Sequence, residues 1–190
     1  MIKDGILFLE NVLLPQTCAS LRWLYDQYKT QGTQLDYNRN RVVFYRDLPK
    51  ERRLALALLA VQAQTLVREW FKEHHELEAA FLGKLGPGHR HEPHYDSVKP
   101  DGVTPNHTPQ RTFSSLFYLS GDFDGGEIVF PRQSRRIKPA EGSFVAFPSG
   151  APFLHYVEPV TRGWRYAAPV WFTQDPKHVM RIEKEVTHAT

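Results

Sequence analysis

Two kinds of hydrophobic periodicity divide the chain. Before residue 78 the apolar positions recur mostly at helical spacing. Residues 15–31 begin with Pro15, which suits a first helical turn, and stop before Gly32. Leu21, Leu24, Tyr25 and Tyr28 form an apolar stripe there. A longer helix is predicted over 49–75, where Leu54, Leu58, Val61, Thr65, Leu66 and Trp70 follow the helical repeat. Lys72, His74 and His75 then fall in its last turn, at the negative end of the helix dipole. A polar stretch and a short strand, VVFY at 42–45, separate the two helices. The opening MIKDGILFLENVLLP is interrupted by Asp4, Glu10 and Asn11, so it reads as a strand and not a signal peptide.

Beyond residue 78 the period shortens. Apolar runs cover 79–85, 111–119, 126–130, 142–148, 153–160 and 164–172, separated by GPG, PDG, DGG, PSG and TRG turns. Gly125 and Gly126 are placed in a tight turn that needs positive φ. Such spacing predicts an all-β sandwich or barrel. The loop at 97–110 is the longest polar insertion and is expected to serve as a functional lid. One domain over 1–190 is expected, with a helical support region (1–78), a β core (79–176) and a C-terminal tail (177–190).

Composition adds exclusions. The chain has 190 residues, 41% hydrophobic and 24% charged, the profile of a soluble protein with a real core. A net charge of +3 does not call for nucleic acid. No apolar run is long enough to span a bilayer, so no membrane role is expected. Cys18 is the single cysteine, which excludes a disulfide framework and a thiolate metal site and points to a reducing cytoplasm. Arg132, Arg135, Arg136 and Lys138 read as a solvated basic turn, with recognition of an acidic partner as the alternative. Arg39, Arg41 and Arg46 would add to such a rim.

The candidate chemistry begins at His94 and Asp96. On a strand, residues two apart share a face, so imidazole and carboxylate would converge. That pair alone is weak evidence. His155, at the start of an aromatic and aliphatic run, is the best third ligand. Two histidines and one carboxylate form a facial triad that leaves coordination positions open, the signature of non-haem Fe(II) oxygenases. The common bidentate co-substrate is 2-oxoglutarate, and its far carboxylate needs a cation. Arg165 offers a planar fork for it. A hairpin turning at 161–163 would set Arg165 beside the His155 strand, deeper than the iron. Arg165, Ala167, Pro169 and Trp171 would share one face, with small residues leaving room and Trp171 walling the pocket. A local zinc site from His89, His91 and His94 is disfavoured by Pro93 and the lack of a nearby cysteine. These histidines are placed on the pocket rim, and His107 in solvent.

The stretches GPGHRHEPHYDS, SLFYLSGDFDGGEIVFP, FPSGAPFLHYVEPVTRGWRY and WFTQDP together resemble the prolyl hydroxylase branch of the Fe(II)/2-oxoglutarate dioxygenases. DFDGGEIVF and PVWFTQDP look most like prolyl 3-hydroxylases; PHYDS and RGWRY look equally like prolyl 4-hydroxylases. The resemblance covers residues 85–176. It implies a double-stranded β-helix (jelly roll, cupin-like), mainly β, braced by N-terminal α-helices. It implies His94, Asp96 and His155 as iron ligands, and Arg165 and Tyr118 on the C5 carboxylate of 2-oxoglutarate. It also implies O2 as oxidant, with ascorbate a candidate reductant. The family often has a tyrosine before the Gly-Pro-Gly turn, where its hydroxyl meets the co-substrate; this chain has Leu85. A prolyl residue in a peptide or protein is the favoured substrate. With no secretory signal recognised, collagen is not expected to be that substrate. The alternatives are a hydroxylase of free proline, another amino acid or a small metabolite, and a non-catalytic metal-binding module on the same fold. Regiochemistry and oligomeric state stay open.

Overall fold

A computed structural model describes residues 1–34 and 41–182; Arg39 lies outside them. The elements run β1 (Ile2–Lys3), β2 (Ile6–Leu9), α1 (Pro15–Tyr28), β3 (Thr33–Gln34), β4 (Arg41–Phe44), α2 (Leu54–Phe71), β5 (Glu76–Leu85), β6 (His91–His94), β7 (Arg111–Tyr118), β8 (Phe123–Gly125), β9 (Ile128–Phe130), β10 (Arg135–Ile137), β11 (Phe144–Pro148), β12 (His155–Val157), β13 (Val160–Gly163) and β14 (Arg165–Thr173). The protein is mostly β, with few helices. The large sheet has the order β1-β2-β11-β7-β14-β5-β4-β3, the small one β10-β9-β12-β6, and β13 pairs β8 separately.

Alternation along the central strands of the large sheet sorts side chains into two layers. Phe113 and Phe117 of β7, Phe144 and Ala146 of β11, and Ala168, Val170 and Phe172 of β14 join one core with residues of α1 and α2. Their neighbours on the opposite face, Tyr118, Val145 and Phe147, pack with Ile128, Phe130 and Ile137 of the small sheet. The second layer leaves a pocket between the sheets.

The second helix is shorter than its periodicity suggests. A 3-10 turn at Lys50–Arg52 precedes it, and Lys72 ends it in the left-handed region at φ 61°. The buried face is Leu56, Ala57, Leu59, Ala60, Ala63 and Val67. Leu54 and Trp70 are exposed, so the predicted stripe lies partly on the wrong face. Small alanines, which the apolar stripe passed over, let the helix approach the sheet. His74 and His75 follow the helix and do not sit on its dipole. His75 is buried, bonded to Thr112 and Glu73, and leads into β5.

The loop at 97–110 has structure of its own. Val98 bridges Pro105, the Lys99 amide donates to the Thr104 carbonyl at 2.7 Å, and Asp101 accepts from the amides of Val103 and Thr104. Asn106 and Thr108 tie it back to the carbonyls of Tyr95 and Asp96. The loop is therefore a pinned turn. His107 is exposed on it. In the basic run, Arg135 donates to the carbonyls of Lys3 and Ile6, and Arg136 pairs with Glu127 and Glu158.

Candidate active site

A pocket opens between the two sheets. The large sheet contributes Phe81, Gly83 and Leu85 of β5, Ser114 and Leu116 of β7, and Arg165, Ala167, Pro169 and Trp171 of β14. The small sheet contributes His91, His94, His155 and Val157.

His94, Asp96 and His155 each offer a ligand atom, and these atoms lie within 4.8 Å of one another. Asp96 is not on the strand of His94; β6 ends at His94 and Asp96 follows in a loop. The two histidines face each other across β6 and β12 in direct register, ring centroids 4.4 Å apart. Each Nε2 lies 3.8 Å from an Asp96 oxygen. Their Nδ1 atoms meet the carbonyls two residues earlier, His94 at Glu92 (2.7 Å) and His155 at Phe153 (3.1 Å). A carbonyl only accepts, so Nδ1 carries the proton and Nε2 keeps its lone pair for a metal.

Asp96 is held by its surroundings. Burial alone would raise its pKa, but His155, His94, Arg111 and the Ser114 hydroxyl outweigh it and keep the carboxyl below its ordinary value. Ser114 donates to Oδ2 at 2.5 Å and shares a 2.7 Å hydrogen bond with Ser149. The Asp96 amide donates to the Ser149 carbonyl. Arg111 lies 3.7 Å from Oδ1, stacks on Trp171 at 3.4 Å, and pairs with buried Glu78. Burial and the neighbouring His94 lower the His155 pKa to about 4 against the pull of Asp96, so the ring is neutral, as a metal ligand must be.

Arg165 reaches the pocket from the large sheet. The predicted hairpin does not form: β12 pairs β6 and β9, β13 pairs β8, and β14 pairs β5 and β7. Arg165 and His155 thus stand on facing sheets. The Arg165 guanidinium lies 5.0 Å from the Tyr118 ring centroid. Among the described residues, neither its Nε nor the Tyr118 hydroxyl, both buried, has a hydrogen-bond partner. A carboxylate between them would satisfy both, and that fits a dicarboxylic co-substrate. Burial raises the Tyr118 pKa against the opposing charge of Arg165. The phenol therefore stays protonated and able to donate. Gly125 and Gly126 have φ of 74° and 65°, and a Cβ on Gly126 would stand 2.9 Å from Arg165 Cδ.

His91 lines the pocket beside His94 and His155. His94 pairs with His155 and His91 with Val157, so three steps on β6 match two on β12. This bulge at Glu92-Pro93 turns both histidines inward, where a regular strand would point them apart. Simple alternation could not foresee it. Nor does the sequence pair Arg111 with Glu78, 33 residues away.

Comparison with known proteins adds the family. Residues 79–173 match the model of the 2OG-Fe(II) oxygenase superfamily. The chain belongs to that superfamily. The paired histidines, carboxylate and buried arginine suit the iron and 2-oxoglutarate that give the superfamily its name. The chain is 44% identical over 82 residues to prolyl 3-hydroxylase 2 of Mus musculus, covering 40% of this chain and 12% of that protein. It is 42% identical over 76 residues to prolyl 3-hydroxylase 1 of Homo sapiens, covering 37% and 10%. The match thus spans about a tenth of these relatives. Among solved structures, the viral collagen prolyl hydroxylase of Paramecium Bursaria Chlorella virus-1, in complex with 2OG, aligns with a TM-score of 0.71 at 17% identity over 94% of this chain and 97% of that one. A Pseudomonas putida prolyl-4-hydroxylase gives 0.66 at 18% identity over 90% and 93%. These neighbours share the fold.

Proposed function

We propose that the protein hydroxylates a prolyl residue in a peptide or protein. The observation that carries the oxygenase chemistry is the pocket itself. A compact His-Asp-His set stands on one side, and on the other the buried Arg165 Nε and Tyr118 hydroxyl have no hydrogen-bond partner among the described residues. In this reading His94, Asp96 and His155 hold Fe(II), and Arg165 and Tyr118 take the C5 carboxylate of 2-oxoglutarate. Bound iron supplies the oxidative chemistry, in which 2-oxoglutarate and O2 are consumed, succinate and CO2 leave, and a C–H bond becomes C–OH. The residues orient the partners. The backbone carbonyls fix the two rings, Ser114 and Arg111 fix the carboxylate, and the apolar wall of Leu116, Val157 and Ala167 excludes water. Phe81 and Trp171 meet edge to face at 4.7 Å and offer an aromatic wall to a pyrrolidine ring. The prolyl hydroxylase names of the sequence relatives support that substrate. The layered strands are taken as a double-stranded β-helix, with residues 1–78 bracing it and 79–176 carrying the site.

The test is succinate release by anaerobically Fe(II)-loaded protein after air is admitted, with and without a proline-rich peptide pool. Peptide-stimulated succinate is expected, and it should vanish in His155→Ala. Succinate that ignores peptide but responds to free amino acids would overturn the peptide assignment.

A further inference from the structure

Arg135 and Arg136 are engaged within the fold, and Arg41 donates to the Gly32 carbonyl. Arg46 is placed differently. It is exposed, and among the described residues its guanidinium has no ion pair and no hydrogen bond; it stacks over the Phe44 ring. We propose that Arg46 binds an acidic side chain of the peptide substrate, within about four residues of the target prolyl, and so selects which prolyl sites are taken. The inference rests on the prolyl-peptide reading above.

Strand β4 is part of the pocket wall. Val42 lines the pocket, and Phe44, two residues on, shares its face. Phe44 pairs directly with Phe81 of β5. A row of rings results, Trp171 to Phe81 at 4.7 Å and Phe81 to Phe44 at 5.0 Å, and Arg46 caps it at 4.7 Å from the Phe44 centroid. Laid end to end, these steps equal the reach of about four extended residues. None of the three rings joins a hydrophobic core cluster, and Phe44 and Trp171 are half-buried. The row also lies toward the correct end of the wall. Arg165 pairs with Leu85 where the co-substrate's far carboxylate is held, and Trp171 pairs with Ala79 toward the other end of the same two strands. That end is the one left for a peptide.

The chemistry of the cap identifies its partner. Stacking occupies the flat face of a guanidinium and leaves its N–H groups directed outward in the plane. Those donors match the two oxygens of a carboxylate. The adjacent carboxylate of the chain does not compete, because Asp47 accepts from the Phe44 amide and the Thr33 hydroxyl. A prolyl ring seated against Trp171 and Phe81 carries its flanking residues along Phe44, where an aspartate or glutamate meets Arg46.

The experiment measures peptide affinity by fluorescence anisotropy, under argon, on Co(II)-substituted protein holding 2-oxoglutarate. The probes carry one proline among alanines and serines, with one glutamate walked through the positions up to about four residues on either side. Matched peptides carry glutamine or lysine in its place. Glutamate at one position should bind about fivefold more tightly than glutamine, the scale of a part-solvated ion pair, and lysine more weakly than either. The difference should shrink at high salt. Arg46→Gln should close the gap between glutamate and glutamine, and Arg46→Glu should reverse the order in favour of lysine. Co(II) affinity, read from its d–d absorption, should match wild type in both variants, showing an intact fold and triad. Equal binding of glutamate and glutamine peptides to wild type at every position would overturn the inference, as would a glutamate preference that survives in Arg46→Glu. Wild-type protein that binds Co(II) but none of the peptides would overturn the prolyl-peptide reading itself, and the inference with it.

Discussion

Arg111→Ala tests the support beneath Asp96. The Arg111 and Glu78 side chains are only 6% and 9% exposed. Arg111 Nε donates to Glu78 Oε2 at 2.9 Å, and a terminal nitrogen reaches Oε1 at 3.3 Å. Without Arg111, Glu78 keeps one side-chain donor among the described residues, Gln110 at 2.8 Å. Removing one partner of a buried pair costs about 3–5 kcal/mol, because the remaining charge stays desolvated. That is a large fraction of the ~5–15 kcal/mol of a typical domain. Replacing both partners, Arg111→Met with Glu78→Leu, removes the stranded Glu78 charge and should recover most of that loss, the remainder being the lost Arg111 contact to Asp96. The assay is urea denaturation of metal-free protein at neutral pH, followed by far-ultraviolet circular dichroism. A single variant that loses under 1 kcal/mol, or a double variant no better than the single, would refute the reasoning.

Three shorter predictions concern the pocket. Arg165→Ala should raise the KM for 2-oxoglutarate about 100-fold, since charge-assisted bonds to a carboxylate are lost; steady-state kinetics showing an unchanged KM would sink the assignment. Gly126→Ala forces a Cβ to 2.9 Å from Arg165 Cδ at positive φ. Its 2-oxoglutarate Kd should rise about tenfold while Co(II) affinity holds, because the metal ligands lie elsewhere; loss of both would mean a folding defect. The third concerns acid. His155 has a folded pKa of about 4 against an ordinary 6.5, so the unfolded chain takes up the proton first. Its contribution is fully present above 6.5 and is lost as pH falls toward 4. Thermal melts of metal-free protein should therefore show lower stability at pH 5 than at pH 7, and equal melts would contradict the burial of a neutral ring.

The sequence carried the strand core well, because alternation is a local signal. Alternation along 164–172 puts Arg165, Ala167, Pro169 and Trp171 on one face, and all four line the pocket. Local rules failed where a non-local contact decides. The apolar stripe on α2 was drawn through large residues, but Ala57, Ala60 and Ala63 make the contact because they are small. The polar loop at 97–110 looked free because its hydrogen bonds are made by Asp101, Asn106 and Thr108 after the chain folds back. That His91 shares a face with His94 was not legible, because a bulge changes the count by one.

The failed hairpin between His155 and Arg165 explains why the pocket exists. Had β12 and β14 been neighbours, both residues would stand on one sheet, side by side, with no depth between them for a ligand. Instead β13 leaves β12 to pair with β8, and β14 enters the centre of the large sheet. Ten residues of chain thus cross from one wall to the other. Facing sheets pack about 10 Å apart, a gap that a five-carbon diacid can bridge when a metal ligand waits on one side and a guanidinium on the other. Gly163, at φ 74° and with a Cβ position only 2.4 Å from the Asp122 carbonyl, sits at that crossing. Only a residue without a side chain permits β13 to press this closely against β8 before the chain turns to Arg165.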